Sequence, residues 1–352
     1  MAFSTINKVS SHQKNLLWTG NGSNNRNITG VGFNPDFVWW KARSNTNNHA
    51  IANTVTGTSG TNYILGVNST GSFTNWSDIF KSFYNDGYTV GTDSAINQNG
   101  QAYCGWNFLG GGAASANSNG TITSQVSANT TGGISIASWS GTGSNASVGH
   151  GLGGVDCMII KNTNSTRDWY FWNKSMAYND RLELNNTEAI TAGTDNMTAL
   201  PDATKINMAT STQNNGSGQN YIGFFFQEIR GMSKFGSYTG NGSGNGTFVN
   251  CGFKPTLVIL KRSNSAGDDW LMYDSTRGGP GAQYDSMDAN NNKYFLSPNR
   301  DIVEGNESFL LTSNGFKCRV TNDFQNGSGS TYRYMAFGQP IISNSGTPAT
   351  AR

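Results

Sequence analysis

The sequence predicts an all-β protein made of three tandem homologous domains, each a β-sandwich or jelly-roll-like fold. Short apolar runs alternate with turns rich in Gly and Asn, which number 45 and 46 of the 352 residues and tolerate the positive φ that tight turns need. Aromatic residues make up 12% of the chain, so there is enough apolar surface for a folded core rather than a disordered chain. A series of motifs also recurs three times along the chain, which is the signature of repeated domains.

Two anchors set the period of the recurring series. The first is the lysine that ends a strongly apolar run, "DFVWWK", "DCMIIK" or "TLVILK": Lys41, Lys161 and Lys261, at intervals of 120 and 100 residues. The second is the tyrosine that opens the last apolar run of each copy: Tyr103, Tyr221 and Tyr332, at intervals of 118 and 111 residues. Because both anchors occur in the same order at nearly the same period, we expect each trio to occupy one equivalent position.

These anchors divide the chain into six segments. They are an N-terminal arm (1–16), repeat 1 (17–112), a linker (113–132), repeat 2 (133–232), repeat 3 (233–343) and a C-terminal tail (344–352). The arm is polar and has no core of its own, so we expect it to extend from the first domain and dock on a neighbouring subunit. The Gly- and Asn-rich linker is expected to contribute at most a short strand.

Within each copy the elements follow from local sequence. The run that ends at the lysine is continuously apolar, which predicts a strand buried on both faces. A partner strand follows at Asp168 and Asp269 ("DWYFW", "DWLMYD"), and the first copy has "NHAIAN" in its place. Hairpins are predicted at Asp86-Gly87 and Asn314-Gly315. Ser77 is a possible N-cap for one short helix, "SDIFKSF".

Further turns are predicted before the final strand of each copy. They are the Asn-Gly pairs Asn99-Gly100, Asn215-Gly216 and Asn326-Gly327.

Composition argues against several classes of partner. Charged residues are 12% of the chain and the net charge is +2, which is too little for an electrostatic nucleic-acid surface. No run of about 18 apolar residues is present, so we expect no membrane insertion, and the N-terminus lacks a signal-peptide pattern. The four widely spaced cysteines lie in or beside apolar runs, which favours buried free thiols and folding in a reducing cytoplasm.

Catalytic chemistry has little support in the sequence. His12, His49 and His150 share no metal-ligand spacing. A carboxylate pair of Glu183 with Asp168 or Asp180 is conceivable for glycoside hydrolysis, but such pairs arise in any chain of this length and surface acids are the simpler interpretation. Acidic stretches at Gly267 ("GDDW") and Tyr284 ("YDSMDANNN") are a weaker calcium alternative. We therefore predict no catalytic residue, no metal site and no cofactor.

Two aromatic clusters are the candidate contact residues. Alternate residues of a strand face opposite sides, so Trp169 and Phe171 are expected on one face, and Tyr170 and Trp172 on the other. One pair must fill the core, which leaves the second for packing, a subunit contact or glycan stacking. The adjacent Trp39 and Trp40 cannot both enter one core. The predicted glycan or subunit contacts are therefore Trp169, Tyr170, Trp172, Trp39 and Trp40.

The chain resembles a family of domains without assigned activity that recurs in virion proteins of tailed, notably marine, bacteriophages. The resemblance lies in "EIRGMSKFGSYTGNGSGNGTFVNCGFKPTLVILKRS", "GTITSQVSANTTGGISIASWSGTGSNASVGHGLGG" and "NGSGQNYIGFFFQEIRG", and it extends from about Asn15 to Pro340. It is looser in the first copy, which lacks the Asp-Trp strand. The family has no catalytic residues to carry over.

The resemblance implies a non-enzymatic virion structural protein that is exposed on the particle surface. The first expectation is a tail-fibre or adhesin-type component for host attachment, and the alternative is a capsid or tail decoration protein. A carbohydrate-binding module and a glycan depolymerase are further alternatives. The expected partners are other virion proteins and a host surface glycan. The aromatic-rich runs also predict further copies of the chain, as a trimer, with a monomeric decoration as the alternative. We expect assembly in the host cytoplasm, with the first domain facing the particle and the third outward.

Overall fold

The computed structural model describes residues 4–56, 63–75, 78–277, 293–343 and 346. In this part of the chain there are 29 β-strands, one 3-10 turn at Val9–Ser11 and no α-helix. The ladders that join neighbouring strands are antiparallel. The predicted all-β class is confirmed.

The strands fall into three consecutive groups. The first group is β1 (Gln13–Thr19), β2 (Arg26–Thr29), β3 (Phe37–Ala42), β4 (Ala50–Asn53), β5 (Tyr63–Gly66), β6 (Thr74–Asn75), β7 (Phe80–Tyr84), β8 (Gly87–Val90) and β9 (Ala102–Phe108). The second is β10 (Ser115–Asn117), β11 (Ser124–Asn129), β12 (Ile134–Ser140), β13 (Ala146–Gly149), β14 (Cys157–Asn162), β15 (Tyr170–Asn173), β16 (Asp180–Glu183), β17 (Thr191–Ala192), β18 (Met197–Ala199), β19 (Lys205–Met208) and β20 (Asn220–Phe226). The third is β21 (Ser233–Thr239), β22 (Phe248–Asn250), β23 (Phe253–Arg262), β24 (Leu271–Asp274), β25 (Lys293–Leu296), β26 (Gly305–Glu307), β27 (Phe309–Thr312), β28 (Gly315–Cys318) and β29 (Thr331–Pro340).

Each group forms one large and one small sheet, and the strand order recurs. The large sheets run β1-β9-β3-β4-β5-β6, β12-β20-β14-β15-β16-β17 and β21-β29-β23-β24-β25-β26, with β11 and β10 added outside β12. The small sheets run β2-β8-β7, β13-β19-β18 and β22-β28-β27. We call each large sheet with its small sheet a sheet pair: the first is 13–108, the second 115–226 and the third 233–340.

The pairing register places both predicted anchor trios at equivalent positions. Each lysine lies four residues after the residue that faces Phe108, Phe226 or Phe337 in the last strand of its group: Lys41 faces Cys104, Lys161 faces Ile222 and Lys261 faces Arg333. The residue after each lysine faces the anchor tyrosine: Ala42 faces Tyr103, Asn162 faces Tyr221 and Arg262 faces Tyr332. The lysine and tyrosine positions predicted from the sequence period are therefore confirmed.

The central strands of the large sheets, such as β3 and β14, are buried on both faces, as their continuous apolar runs predicted. In the first sheet pair, Trp40 packs inside the sandwich with residues of the small sheet, whereas Trp39 on the opposite face belongs to a core that all three sheet pairs share. The third pair has the same division between its own core and the shared core. The three pairs thus surround a common centre.

Three equivalent phenylalanines meet in the shared core. Phe108, Phe226 and Phe337 each lie five residues after an anchor tyrosine. Their ring centroids are 6.2, 5.4 and 5.5 Å apart for the pairs 108–226, 108–337 and 226–337, and every pair is edge-to-face, the arrangement that aromatic rings prefer. This closed triangle relates the sheet pairs by an approximate three-fold axis. The three sheet pairs thus lie around one centre, and the expectation that the first domain faces the particle and the third points outward stays a prediction.

Main-chain hydrogen bonds close the same ring at its rim. At each junction the N–H of the residue just before the outermost strand of one large sheet donates to the carbonyl two residues after the next pair's anchor lysine. The three bonds are Phe73 to Thr163 (3.0 Å), Ile190 to Ser263 (2.9 Å) and Glu304 to Arg43 (2.9 Å). The direction is first to second, second to third and third to first, so no junction is left open.

The N-terminal segment is not a free arm. Ile6 and Val9 are buried in the shared core, and the Ser4 hydroxyl donates to the carbonyl of Arg230 at 3.1 Å. Strand β1 already begins at Gln13. The expected docking of residues 1–16 on a neighbouring subunit is wrong for the described part of this segment, because its apolar side chains pack on their own chain.

Two further predictions need correction. The linker (113–132) contributes two strands, β10 and β11, that extend the second large sheet. The short helix predicted in "SDIFKSF" is instead strand β7, because Phe80 faces the core of the first sheet pair; its proposed cap, Ser77, lies outside the described residues. The two predicted hairpins form and join β7 to β8 and β27 to β28, but Gly87 and Gly315 are the first residues of β8 and β28, paired with Tyr84 and Thr312, and not loop residues.

Candidate functional site

The five aromatic residues predicted as surface contacts lie inside the protein. Trp169, Tyr170, Trp172, Trp39 and Trp40 are each at most 3% exposed. Their roles as glycan or subunit contacts are wrong, because each face of a large sheet is already covered, one by the small sheet and the other by the neighbouring sheet pairs.

The Asp-Trp strand positions instead join the sheet pairs. The Trp169 indole donates to the carbonyl of Gly66 in the first pair at 2.9 Å, and the Trp270 indole donates to the carbonyl of Glu183 in the second pair at 3.0 Å. The first copy has His49 here. Its Nδ1 accepts from the Trp39 indole at 3.0 Å, and burial lowers its pKa well below the usual 6.5.

A buried asparagine recurs in all three copies, and in the second and third it belongs to the Asn-Gly motif. Asn97, Asn215 and Asn326 each lie six residues before an anchor tyrosine and are fully buried. The amide of each donates to two main-chain carbonyls: Ser23 and Gly91, Ser144 and Ala209, Ser243 and Val320. The first-copy equivalent is therefore Asn97 and not the predicted Asn99, which is exposed. The equal spacing of six residues before the anchor tyrosine could have identified Asn97 from the sequence.

The turn that opens each copy packs against this asparagine. A Cβ on Gly20, Gly141 or Gly240 would lie 2.0, 2.5 or 2.3 Å from a main-chain carbonyl oxygen of the facing turn, so only glycine fits. The preceding aromatic ring (Trp18, Trp139 or Tyr238) stacks on the anchor tyrosine at 5.5, 5.6 or 4.8 Å. The thrice-repeated motif therefore has a structural role.

The acids considered for catalysis are occupied by local contacts. The Glu183 carboxylate accepts from Arg181 Nε at 3.1 Å and from the Asn186 amide, and Asp168 accepts from the Asn185 amide at 2.8 Å. Within the described ranges, no group of three His, Cys, Asp or Glu side chains could hold a metal ion. Of the two calcium candidates, Asp268 and Asp269 are paired with Arg262 and Arg300, and 284–292 lie outside those ranges.

The three anchor lysines are buried, and the pKa of each is lowered. Their ammonium groups donate to main-chain carbonyls, among them Ala42 for Lys41 (2.6 Å), Thr70 for Lys161 (2.9 Å) and Arg262 for Lys261 (2.7 Å). Burial lowers the pKa of each lysine from 10.5 to about 8. The prediction of buried free thiols is confirmed, and burial raises the pKa of Cys104, Cys251 and Cys318 to about 12.

We expect stability to rise as the pH increases from 7.5 to about 9. Between pH 8 and 10.5 the unfolded chain holds lysine protons that the folded chain has lost, and stability rises wherever the unfolded state binds more protons. Above about pH 9 the thiols oppose this, since only the unfolded chain loses their protons. Thermal unfolding followed by circular dichroism at constant ionic strength measures the trend. Lys161→Met should remove about a third of the rise, and a Tm that falls from pH 7.5 to 9 would contradict the expectation.

An open groove lies at the junction of the first and second sheet pairs. It has a volume of about 660 Å³, within the ~300–1,000 Å³ usual for small-molecule sites. Its lining residues are Val55, Thr56, Ser72, Phe73, Thr123, Gln125, Ser138, Trp139, Ser140, Thr163, Asn164, Asn220 and Tyr221. None of these side chains is charged, so the groove combines hydroxyl and amide groups with aromatic rings.

A second cleft of about 590 Å³ lies where the second and third sheet pairs meet. Its charged residues are Glu228, Arg230 and Lys234, and its apolar edge is formed by Ile341 and Ile342. The Glu228 carboxylate is already paired with Lys174 at 2.6 Å. One charged group of this cleft is therefore already paired within the chain. The uncharged groove is the stronger candidate for a functional site.

The fold and the groove define an antiparallel β-sandwich-like protein with a polar, uncharged surface site. The chain belongs to the family described as "Domain of unknown function (DUF7483)", whose model matches residues 8–340. No curated protein and no solved structure matches the chain. No helix in the described part of the chain is long and apolar enough to cross a membrane.

Proposed function

We propose that the three sheet pairs are three diverged copies of one β-sandwich domain. The recurring strand order, the equivalent positions of the anchor residues and the buried asparagines support this proposal. A single chain thereby has the arrangement of a trimer, with the three copies held by a shared core.

We propose that the protein is a non-enzymatic structural component of a tailed bacteriophage virion, exposed on the particle and of the tail-fibre or adhesin type. The observation that carries the proposal is that every recurring motif takes part in packing. The aromatic runs, the turn glycines and the buried asparagines all stabilise the fold. The uncharged groove then supplies a surface contact to a host glycan. A capsid or tail decoration protein of the same construction is the alternative.

The arrangement of three sheet pairs within one chain affects the expectation that three chains form a trimer. The adjacent Trp39 and Trp40 suggested subunit contacts, and both are buried within one chain. We therefore propose that a single chain, with its three sheet pairs, is the assembled form in solution. Light scattering after size-exclusion chromatography should give the mass of one chain, 37.7 kDa; a threefold mass would restore the homotrimer.

Immunogold labelling of purified particles tests the proposed location. Antibodies against the folded chain should label intact particles of the phage that encodes it, at the tail for an adhesin or over the shell for a decoration protein. Peptides of the chain should also appear in mass spectra of the same particles. Particles that lack these peptides would overturn the proposal.

A further inference from the structure

We propose that the groove between the first and second sheet pairs is a binding site for a short neutral oligosaccharide. The inference adds a ligand to the attachment role proposed above. It rests on that role only for the source of the sugar, because binding can be measured on the isolated protein. The site is formed by β11 and β12, the ends of β14 and β20, and the segment around Phe73.

The chemistry of the lining matches a sugar. Hydroxyl and amide groups both donate and accept hydrogen bonds, as sugar hydroxyls do, and the partly buried ring of Phe73 offers an apolar surface to the C–H face of a sugar ring. An ionic ligand would lose hydration in the groove without meeting an opposite charge, which costs free energy. The lining therefore favours a neutral polyhydroxylated ligand over an acidic one.

The equivalent junctions share one main-chain hydrogen bond and differ in the side chains around it. At the junction of the third and first pairs the same main-chain hydrogen bond joins Glu304 to Arg43. There the two side chains also form a bidentate ion pair, with N–O distances of 2.5 and 3.1 Å. The corresponding residues at the groove are Phe73 and Thr163, which carry no charge. The Arg43–Glu304 ion pair is thus absent at this junction, and the groove between the first and second sheet pairs is lined by uncharged side chains.

Four polar side chains of the groove are available to a ligand. Ser72, Thr123, Gln125 and Ser138 make no side-chain hydrogen bond within the part of the chain that the structure describes. Two of them lie on adjacent strands of one sheet, since Gln125 faces Ser138 across the β11–β12 ladder. This pair offers a hydroxyl and an amide side by side, which is a suitable anchor for neighbouring sugar hydroxyls.

Binding to an array of neutral and acidic oligosaccharides tests the site. The wild-type chain should bind neutral glycans, and Ser138→Trp, which fills the groove, should weaken that binding at least tenfold. The matched control is Ser237→Trp, because Ser237 holds the equivalent position before Tyr238 that Ser138 holds before Trp139; this variant should bind like the wild type. Gln125→Ala should weaken binding several-fold without altering the melting temperature.

Three results would overturn the proposal: no glycan bound by the wild type, binding confined to acidic glycans, or equal loss in Ser138→Trp and Ser237→Trp. Circular dichroism melting of each variant identifies a loss that comes from unfolding. Failure of this site is distinct from failure of the proposed function, because particle labelling reports the location of the protein and the array reports only the groove.

Discussion

Replacing Phe226 by alanine is expected to lower the free energy of unfolding by about 3–5 kcal/mol, the range for deleting a buried phenylalanine. Phe226 is 1% exposed and contacts the rings of Phe108, Phe337 and Phe235 at centroid distances of 5.5 to 6.2 Å. Because these rings come from different sheet pairs, the cavity would open where all three meet. Urea unfolding followed by tryptophan fluorescence measures the loss.

The shared core also determines how the chain unfolds. We expect the wild type to unfold in one cooperative transition, because no sheet pair keeps its large sheet covered on both faces without the other two. Phe248→Ala is the matched control: its ring is 45% exposed on β22, so its effect should stay within about 0.5 kcal/mol. Three separate transitions, or equal effects of the two substitutions, would contradict a common core.

The sequence predicted the fold class and the register well, because both depend on local patterns. Continuous apolar runs such as "DFVWWK" indicated burial on both faces, and the structure shows it. Alternation along a strand says that Trp39 and Trp40 face opposite sides, but it does not say what covers each side. The second face was therefore assigned to a ligand or subunit, whereas a neighbouring sheet pair of the same chain covers it.

The closed ring of three sheet pairs could not be predicted from the sequence, for a related reason. Its rim is made by main-chain groups, such as the Ile190 N–H and the Ser263 carbonyl, and every residue type carries these groups. The groove was missed as well, since its serines, threonines and amides are spread from Val55 to Tyr221 and have no motif spacing. The Arg43–Glu304 ion pair has no charged counterpart at Thr163 and Phe73, and this difference between two junctions could be recognised only once the junctions were known.

The recurring asparagine gives the second large expected effect. Asn97→Ala should lower the free energy of unfolding by about 3 kcal/mol or more, because an unsatisfied buried polar group costs about 1–3 kcal/mol. The amide of Asn97 donates to the carbonyls of Ser23 and Gly91, both at 2.8 Å. Its carbonyl oxygen accepts from the Asn21 main chain at 3.1 Å and from Arg26 at 2.9 Å. Alanine would leave these groups without their partner at a site closed to water.

Asn99→Ala is the control for this prediction, and it lies only two residues away. Asn99 is exposed and belongs to the Asn-Gly pair that sequence reasoning chose, so its replacement should change stability by no more than about 0.5 kcal/mol. Both variants remove the same amide from the same turn, which leaves burial and bonding as the difference between them. Urea unfolding of the two proteins side by side gives the comparison. Equal losses would mean that the Asn-Gly dipeptide matters for its turn conformation, and that the bonded network around Asn97 does not stabilise the fold.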